Sequence, residues 1–159
     1  MPDAAPQAPK TQTGAQPGVF IDPYRSYNFK LVIQGVTEGH FTQCSNMGMK
    51  VDAISYREGG SGQVVHRLPG QVSYGDITLS YGLTASHELW DWILTAVKGK
   101  VQRKNVSIVL VDADGVTEVL RWDLVNAWPS SWRGAPLNAL ASELAVEHLT
   151  LVYETFDRG

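Results

Sequence analysis

The side chains best suited to catalysis or metal binding in this chain are four histidines and one cysteine. The histidines share no metal-ligand spacing: His40, His66, His87 and His148. A single cysteine cannot complete a structural zinc site, which needs several thiolate or imidazole ligands. His40 and Cys44 are close enough in sequence to form a base and nucleophile pair, but such neighbours are more often incidental. We therefore expect no metal, and a hydrolase using His40 and Cys44 is a disfavoured alternative.

Two glycine-containing motifs also fail as chemical signatures. The Gly-Ser-Gly sequence at 60–62 resembles the start of a dinucleotide-binding loop, but Val65 occupies the third glycine position and no helix follows. The Asp-Ala-Asp-Gly sequence at 112–115 would place Leu110 and Arg121 at calcium-ligand positions, which neither can fill. Asp-Gly between β-branched runs is instead a strong hairpin signal. The sequence thus predicts a protein that is not an enzyme and has no cofactor.

Composition and charge argue against further classes of protein. A net charge of -3 argues against a nucleic-acid binder driven by bulk electrostatics. The longest apolar run, 108–111, is far shorter than a membrane helix, and the first residues carry no secretory signal pattern. With one cysteine and 159 residues, the default expectation is one soluble cytoplasmic domain. One cationic cluster fits a helix end and its loop: Lys98, Lys100, Arg103 and Lys104.

The first 18 residues differ in composition from the rest of the chain. They contain four of the eight prolines, no aromatic residue and no branched aliphatic residue. Such a segment cannot bury enough apolar surface to offset the entropy of ordering it. We predict a flexible arm over 1–18, and one folded domain over 19–159.

Alternating hydrophobicity predicts strands along most of that domain. Period-two patterns cover 27–33 and 76–81, and a less regular strand is predicted over 41–51. The glycine-rich stretch near 59–62 predicts a hairpin or long loop within 52–70, with Leu-Pro-Gly at 68–70 closing it in a turn. Residues 106–111 and 116–124 form the arms of the Asp-Gly hairpin. A strand that bends at Pro129 is expected to follow.

One helix is predicted, over about 85–98. Thr84 is a suitable N-cap, apolar residues recur at helical spacing through Val97, and Gly99 is a suitable stop. Residues 137–152 are ambiguous, because leucines at 137, 140 and 144 fit a helical stripe while those at 149 and 151 alternate as in a strand. We predict strand over 144–153. The sum is a mainly β fold of about seven to eight mostly antiparallel strands, a β-sandwich or barrel with one flanking helix.

Aromatic residues on this strand-rich chain suggest surfaces for protein contact. Tryptophan and tyrosine carry much of the binding energy at interfaces, and open sheet edges must be covered or paired. A ring of identical subunits would satisfy both requirements. The subunit-interface candidates are Tyr24, Arg25, Trp122, Trp128, Pro129 and Trp132.

The order of several weak motifs resembles one protein family. These motifs are the Asp-Pro-Tyr-Arg-Ser-Tyr-Asn-Phe-Lys-Leu-Val-Ile run at 22–33, Arg-Leu-Pro-Gly at 67–70, Leu-Trp-Asp-Trp at 89–92, Ala-Trp-Pro at 127–129 and Glu-Leu-Ala-Val-Glu at 143–147. Together they resemble the tail tube proteins of contractile phages and contractile injection systems, the T4-like tail tube family. The resemblance covers about residues 20–156.

The resemblance implies a structural subunit that forms hexameric rings, stacked into a hollow inner tube within a contractile sheath. Implied partners are other copies of the chain, the sheath protein, the baseplate hub and spike, a tube-terminating cap and luminal effector cargo. Assembly in the bacterial cytoplasm and a place in a virion or injection particle follow from it. The resemblance also assigns 47–70 to an inter-ring loop, and within it we choose these contact candidates: Met49, Arg57, Glu58, Gly59, Gly60, Ser61, Gly62 and Arg67.

The stretch between Gly39 and Met49 departs from the usual family pattern, and the arm at 1–18 is longer than in many relatives. Two alternatives therefore stay open beside the bulk tube subunit. One is a specialised paralogue that starts the tube at the baseplate. The other is a secreted, ring-forming effector carrier of a type VI-like system.

Overall fold

The computed structural model describes residues 29–34, 41–60, 62–83 and 87–159. The predicted arm at 1–18 lies outside these ranges. Within them are nine strands and one helix. The elements in chain order are β1 (Phe29–Ile33), β2 (Phe41–Ser45), β3 (Met49–Tyr56), β4 (His66–Tyr74), β5 (Ile77–Gly82), α1 (Glu88–Val97), β6 (Lys104–Val111), β7 (Glu118–Arg133), β8 (Val146–Val152) and β9 (Thr155–Arg158). The predicted mainly β fold with one flanking helix is confirmed.

Two half-sheets share the long strand β7. Its first half pairs antiparallel with β6 and with β9, and β6 pairs with β1. Its second half pairs with β8, which continues to β5 and then to β2. Hydrogen bonding therefore runs without interruption through β1-β6-β7-β8-β5-β2. The remaining strands, β3 and β4, form a separate two-stranded sheet.

The hydrophobic core lies between the two half-sheets and beneath the helix. Alternate residues of each strand point into it, as the period-two pattern of a sheet with one buried face requires. Its buried members come from β1, β5, α1, β6, β7, β8 and the residue after β8: Leu31, Ile33, Ile77, Leu79, Tyr81, Leu89, Trp92, Ile93, Val106, Ile108, Leu124, Ala127, Leu149, Leu151 and Tyr153.

The turn of β7 from one half-sheet into the other occurs at Asn126. This residue has a positive φ of 54°, a conformation that asparagine tolerates better than most residues. The pairing register with β6 shifts at the same place, so the strand carries a bulge. The Asn126 side chain donates a hydrogen bond to Glu154 (2.7 Å), and its backbone N–H donates to Asn105 (3.3 Å). These contacts hold the corner.

Pro129 lies just beyond that corner, inside β7. It is almost fully buried and pairs with Leu151 of β8. Among the described strands, the second half of β7 pairs only with β8, so the proline occupies an edge, where its missing N–H breaks no ladder. The register shifts again directly after it. The strand therefore passes through the proline rather than ending there.

Helix α1 begins at Glu88, later than the predicted start near 85. Its N-cap is His87, whose side chain makes no capping hydrogen bond, and Thr84 lies outside the described residues. The predicted end is close to the observed one, because Gly99 has a φ of 75° and terminates the turn after Val97. Buried Trp92 donates its indole N–H to the Gln102 carbonyl (2.8 Å), which ties the helix to the following loop.

Two expectations for the region before β5 are wrong. The strand predicted over 41–51 is divided into β2 and β3, because Asn46 has a φ of 68° and interrupts the extended backbone. The Leu-Pro-Gly sequence at 68–70 forms no closing turn, since it lies inside β4. There Gly70 and Gln71 together oppose the single residue Asp52, which is a β-bulge. Because this break makes two strands of one predicted strand, it also accounts for part of the difference between the predicted strand number and the nine strands observed among the described residues.

The predicted Asp-Gly hairpin is confirmed between β6 and β7. Gly115 has a φ of 71°, and its N–H donates to the Asp112 carbonyl (2.9 Å). The carboxylate of Asp114 accepts hydrogen bonds from the backbone N–H groups of Val116 and Thr117, both at 2.9 Å, and from the Thr117 hydroxyl. These hydrogen bonds lower the pKa of Asp114 to about 2, and the one from the Thr117 hydroxyl has the largest effect.

The depressed pKa of Asp114 predicts a pH dependence of the turn. Because the folded pKa lies below the ordinary value of about 3.9, ionised Asp114 favours the folded turn above pH 4. That contribution disappears as the pH falls toward 2. We expect the Asp114 carboxyl resonance in an NMR titration to have a midpoint near pH 2. In an Asp114→Asn variant the Thr117 amide should show no corresponding pH-dependent shift. A midpoint at the ordinary value would contradict this geometry.

Candidate assembly surfaces

The strands β3 and β4 form a hairpin that projects from the domain, and we call it the ribbon (49–56 with 66–74). Every residue of β3 is exposed, and in β4 only Gly70 and Tyr74 are partly buried. Apolar side chains with half or more of their surface exposed are Met49, Val51, Ile54, Tyr56 and Leu68, and Val72 is 49% exposed. A two-stranded ribbon without packing on either face is marginally stable in water. The ribbon therefore presents surface that another molecule can cover.

The apolar residues lie on opposite faces in the two halves of the ribbon. Near its base, Val51 stands opposite Val72 on one face. Nearer the turn, Ile54 stands opposite Leu68. This pair lies on the other face, because successive side chains of a strand alternate between its faces and Ile54 is an odd number of positions from Val51. The bulge at Gly70 lies between the two pairs. A Cβ atom there would come within 2.9 Å of the Asp52 carbonyl oxygen, so the position requires glycine.

The base of the ribbon is fixed to the core by a small set of contacts. The Gly75 N–H donates to the Gly48 carbonyl (2.9 Å), which also accepts a long hydrogen bond from the Tyr153 hydroxyl (3.5 Å). The ring of Tyr74 packs against Tyr153, with 5.7 Å between centroids. The ribbon is thus anchored at one end, and its turn lies at the other.

The structure places most of the predicted inter-ring residues on the strands of this ribbon or in the turn that joins them. Met49 begins β3 and Arg67 lies in β4, at opposite ends of the hairpin. Residues 57–60 and Gly62 form the exposed turn, in which Gly60 and Gly62 have positive φ values of 97° and 71°. Ser61 lies outside the described residues. The assignment of these residues to an inter-ring contact stays a prediction.

The predicted interface residues are spread over the core and the surface. Trp122 packs against the core cluster, Trp128 is partly buried, and Pro129 is buried within its own domain. Only Trp132 is substantially open, at 36% exposure. Tyr24 and Arg25 lie outside the described residues.

Sequence reasoning missed the partner of Trp132. The Trp90 ring of α1 meets the Trp132 ring edge-on, with 4.9 Å between centroids, and Trp90 is itself 42% exposed. The Trp132 indole N–H also points to Glu147 at 3.5 Å. The helical spacing places Trp90 in the apolar stripe that we expected to lie against the sheet, so this exposed contact had no signal in the sequence. The result is an exposed aromatic pair beside the edge half of β7.

The described residues contain no arrangement suited to catalysis. His40 lies outside them, so the suggested pair with Cys44 is not tested. The Cys44 thiol packs against the core, and burial raises its pKa to about 11. A serine and histidine do meet, since Ser80 lies 2.9 Å from His148 Nδ1, but Ser80 is only 4% exposed. Within the described ranges, no group of three or more potential ligands could hold a metal ion.

The raised pKa of Cys44 predicts that its thiol reacts slowly with alkylating agents. At pH 8 the thiolate fraction should fall about a hundredfold below that of an ordinary cysteine, because only the thiolate is nucleophilic. We expect alkylation of the native protein by iodoacetamide to be slower by at least that factor than alkylation of the same chain in urea. Glutathione is the reference thiol. Equal rates in native and unfolded protein would show that Cys44 is open and activated.

The fold and its surfaces define a class: a mainly β structural protein with a projecting ribbon and open sheet edges. Residues 25–157 match the family of the T4-like virus tail tube protein gp19, and the chain therefore belongs to this family. The family consists of structural tube proteins, and the chain is accordingly not an enzyme. A search of the curated proteins found no match.

Similar solved structures come from contractile injection systems. A chain in the cap of the anti-feeding prophage (AFP) has a TM-score of 0.79 at 26% identity, with 89% of this chain and 93% of that chain covered. A chain in the extended sheath-tube complex of the PVC extracellular contractile injection system has a TM-score of 0.77 at 27% identity, covering 86% and 91%. Hcp1 from Flavobacterium johnsoniae shares the fold, with a TM-score of 0.52 at 15% identity over 82% and 94%. The protein is a tail tube-family protein of contractile injection systems.

Among the described residues, no helix has both the length and the apolar character needed to cross a membrane.

Proposed function

We propose that this protein is the repeating subunit of the inner tube of a contractile injection system or phage tail. In this function, six copies form a ring, rings stack into a hollow tube, and a contractile sheath surrounds it. The observation that carries the proposal is the ribbon, whose apolar side chains stand exposed in a single chain. Family membership supports the same function.

The open sheet edges supply the contact within a ring. Among the described strands, β1 and β2 end the hydrogen-bonded order, and each has a partner on one side only. Unpaired N–H and C=O groups on such strands favour pairing with another chain. A closed ring of identical copies removes every free edge of this kind, because each copy covers its neighbour. The exposed Trp90 and Trp132 pair lies beside a further edge, the second half of β7, which pairs only with β8 among the described strands, and adds apolar area there.

The ribbon supplies the contact between rings. Its turn stands at the end opposite the anchored base, so it is the part of the domain able to reach another subunit. The described candidate residues Arg57, Glu58, Gly59, Gly60 and Gly62 occupy this turn, with Met49 and Arg67 on the strands behind it. We expect each specific contact to bury more than about 1,000 Å².

The remaining partners follow from the same proposal. The outer wall of the tube contacts the sheath protein, and its two ends contact the baseplate hub and spike and a terminating cap. The tube assembles in the bacterial cytoplasm and becomes part of a virion or injection particle. Effector cargo passes through or is held in the lumen. A second candidate is a specialised ring at one end of the tube, because similar structures also come from a tube-terminating cap, a sheath/tube terminator and a baseplate.

Electron microscopy of the purified protein tests the proposal and separates the two candidates. A bulk subunit forms long tubes without other components, whereas an end-specific ring forms discrete hexamers that do not elongate. A protein that stays monomeric at high concentration, even with sheath and baseplate components present, contradicts both.

Shortening the turn of the ribbon provides a directed prediction. Deleting residues 59–62 should leave the fold intact, since the described residues there are exposed and make no core contact. Stacking should be impaired, and negative-stain images should show single rings or short tubes. A Val116→Ser substitution at the exposed β6–β7 turn is the control and should leave tube length unchanged. Tubes of normal length in the deletion variant would remove the turn from the inter-ring contact.

A further inference from the structure

The half-sheet of β2, β5, β8 and the second half of β7 turns one face toward the core and the other away from it. Leu79 and Leu149, which pair across β5 and β8, are fully buried in the core. The residues that alternate with them therefore point to the opposite face, which we call the polar face. One row of this face carries a hydroxyl side chain on each of the four strands: Ser45, Thr78, Thr150 and Ser131. The next row contains Gln43, Ser80, His148 and Arg133.

Hydrogen bonds between neighbouring strands occupy several of these polar groups. The Ser80 hydroxyl lies 2.9 Å from His148 Nδ1, and the Thr78 and Thr150 hydroxyls are 3.5 Å apart. The Ser45 hydroxyl donates to the Thr78 carbonyl (3.4 Å). Because these groups already have partners within the sheet, the face does not depend on another protein to satisfy them.

The polar face offers little of what a protein interface uses. Within its four strands, all of which the structure describes, the ionisable side chains on this face are Arg133 and His148. Its apolar members lie at the two ends and are only partly exposed, Trp128 and Val152 at one end and Val146 at the other. Interfaces between proteins are anchored instead by large aromatic and aliphatic side chains. Hydroxyl and amide groups both donate and accept hydrogen bonds, so water solvates this face well.

The other exposed strand surfaces differ from the polar face. The outer face of the half-sheet of β1, β6, β9 and the first half of β7 carries charged side chains: Lys30, Arg121, Asp123 and Asp157. Arg121 Nε donates to Asp123 at 2.9 Å, and the two side chains are 43% and 45% exposed. Charges of both signs can pair with those of a partner protein. The ribbon is exposed and apolar. Among the described strands, the polar face is thus the surface matched to water rather than to protein.

A hollow tube requires each subunit to give one surface to the channel. The open edges of this half-sheet are β2 and the second half of β7, so copies can join there side by side without covering the polar face. A sheet closed from several copies has far more strands than a barrel of about eight, whose interior is filled by side chains, and it therefore encloses water. We propose that the polar face lines the channel of the tube, where its rows of hydroxyl groups meet water and passing cargo. This inference rests on the proposed function and assigns the inner wall of the tube.

Thiol labelling of assembled tubes tests this assignment. The reporter is Ser131→Cys, because Ser131 is exposed on the polar face and the substitution exchanges an oxygen for a sulfur. The control is Val32→Cys, since Val32 is 53% exposed on the charged face of the other half-sheet. Each variant is treated with N-ethylmaleimide, which is small, and with a maleimide attached to a large globular carrier protein, which cannot diffuse along the channel.

We expect N-ethylmaleimide to label both cysteines in tubes. The carrier should label Val32→Cys in tubes as it does in unassembled subunits. Its labelling of Ser131→Cys should be present in unassembled subunits and lost on assembly. The unmodified chain gives the background from Cys44, whose thiol packs against the core.

The outcomes separate this inference from the proposed function. If the unmodified chain forms no tubes, the proposed function fails. If tubes form and the carrier labels Ser131→Cys as readily as Val32→Cys, the polar face lies on the outside of the tube. If N-ethylmaleimide is excluded from Ser131→Cys in tubes, another protein surface covers the face. Either of these two results overturns only this inference.

A second reporter decides the question if Ser131→Cys does not assemble. Thr150→Cys lies in the same row of the polar face but in the inner strand β8, away from the open edges. The same labelling pattern is expected for it. Failure of both variants to assemble, with circular dichroism spectra like that of the unmodified chain, would place the polar face in a contact between subunits and overturn the inference.

Discussion

Replacing Ile54, Tyr56 and Leu68 with serine should abolish tube assembly without unfolding the subunit. All three side chains are at least half exposed and absent from the core cluster, so their loss removes little folding energy. At an assembled interface, buried aromatic and aliphatic anchors are worth about 1–2 kcal/mol each. Loss of all three anchors should raise the protein concentration required for assembly by about a hundredfold or more.

Sedimentation velocity and negative-stain microscopy measure the assembly, and thermal unfolding measures the fold. The control replaces Val97 and Val116 with serine, because both are 74% exposed but lie away from the ribbon. We expect the ribbon variant to remain dispersed, with a melting temperature within about 2 °C of the parent monomer. Assembly of the ribbon variant at the parent's concentration would show that the ribbon's apolar residues make no contact between subunits.

The second large effect is expected at the core, where Leu124→Ala should strongly destabilise the subunit. Leu124 is 1% exposed and lies in the part of β7 that pairs with both β6 and β9. Truncating a buried leucine removes apolar contacts and leaves a cavity, at a cost of about 2–5 kcal/mol. That is a large part of the total stability of a typical domain, about 5–15 kcal/mol.

The neighbouring residue provides a matched control. Val125 is adjacent in the same strand but 39% exposed, so Val125→Ala should change the free energy of unfolding by less than about 1 kcal/mol. Urea denaturation followed by tryptophan fluorescence measures both variants. Equal destabilisation would mean that the position of the residue in the strand, rather than its burial, determines the cost.

Much of the fold could be predicted because local patterns and tertiary contacts agree. Alternation identified β1 and β5, and the Asp-Gly turn located the hairpin between β6 and β7. The helical stripe identified α1. The ambiguous residues after 137 show how two competing patterns are resolved. Leu149 and Leu151 are fully buried in β8, whereas the leucines of the helical stripe remain exposed between β7 and β8.

The failures have specific physical causes. The break between β2 and β3 depends on the backbone conformation of Asn46, which no periodicity reveals. The Leu-Pro-Gly sequence is typical of a turn, but cross-strand pairing with β3 keeps it extended in β4 and absorbs the extra residue in a bulge. The pairing of Trp90 with Trp132 is a contact between distant elements, so spacing along the chain could not predict it.

The candidate surfaces were only partly accessible from sequence. The glycine-rich turn indicated where a hairpin would be, but not that both faces of its strands are exposed. The aromatic residues near Pro129 suggested an interface, although Trp122 and Pro129 lie largely inside their own domain. Composition alone cannot separate a core tryptophan from a surface one, because both use the same residue type.

The continuity of β7 has a mechanical consequence for the subunit. In a sandwich of two separate sheets, side-chain contacts and the connecting loops resist sliding of one layer over the other. Here covalent backbone crosses from one layer to the other at Asn126, and hydrogen-bonded neighbours hold it on each side of the crossing. A compressive load applied to one layer is therefore transmitted to the other by bonds that do not slip, which favours a stiff subunit over a deformable one.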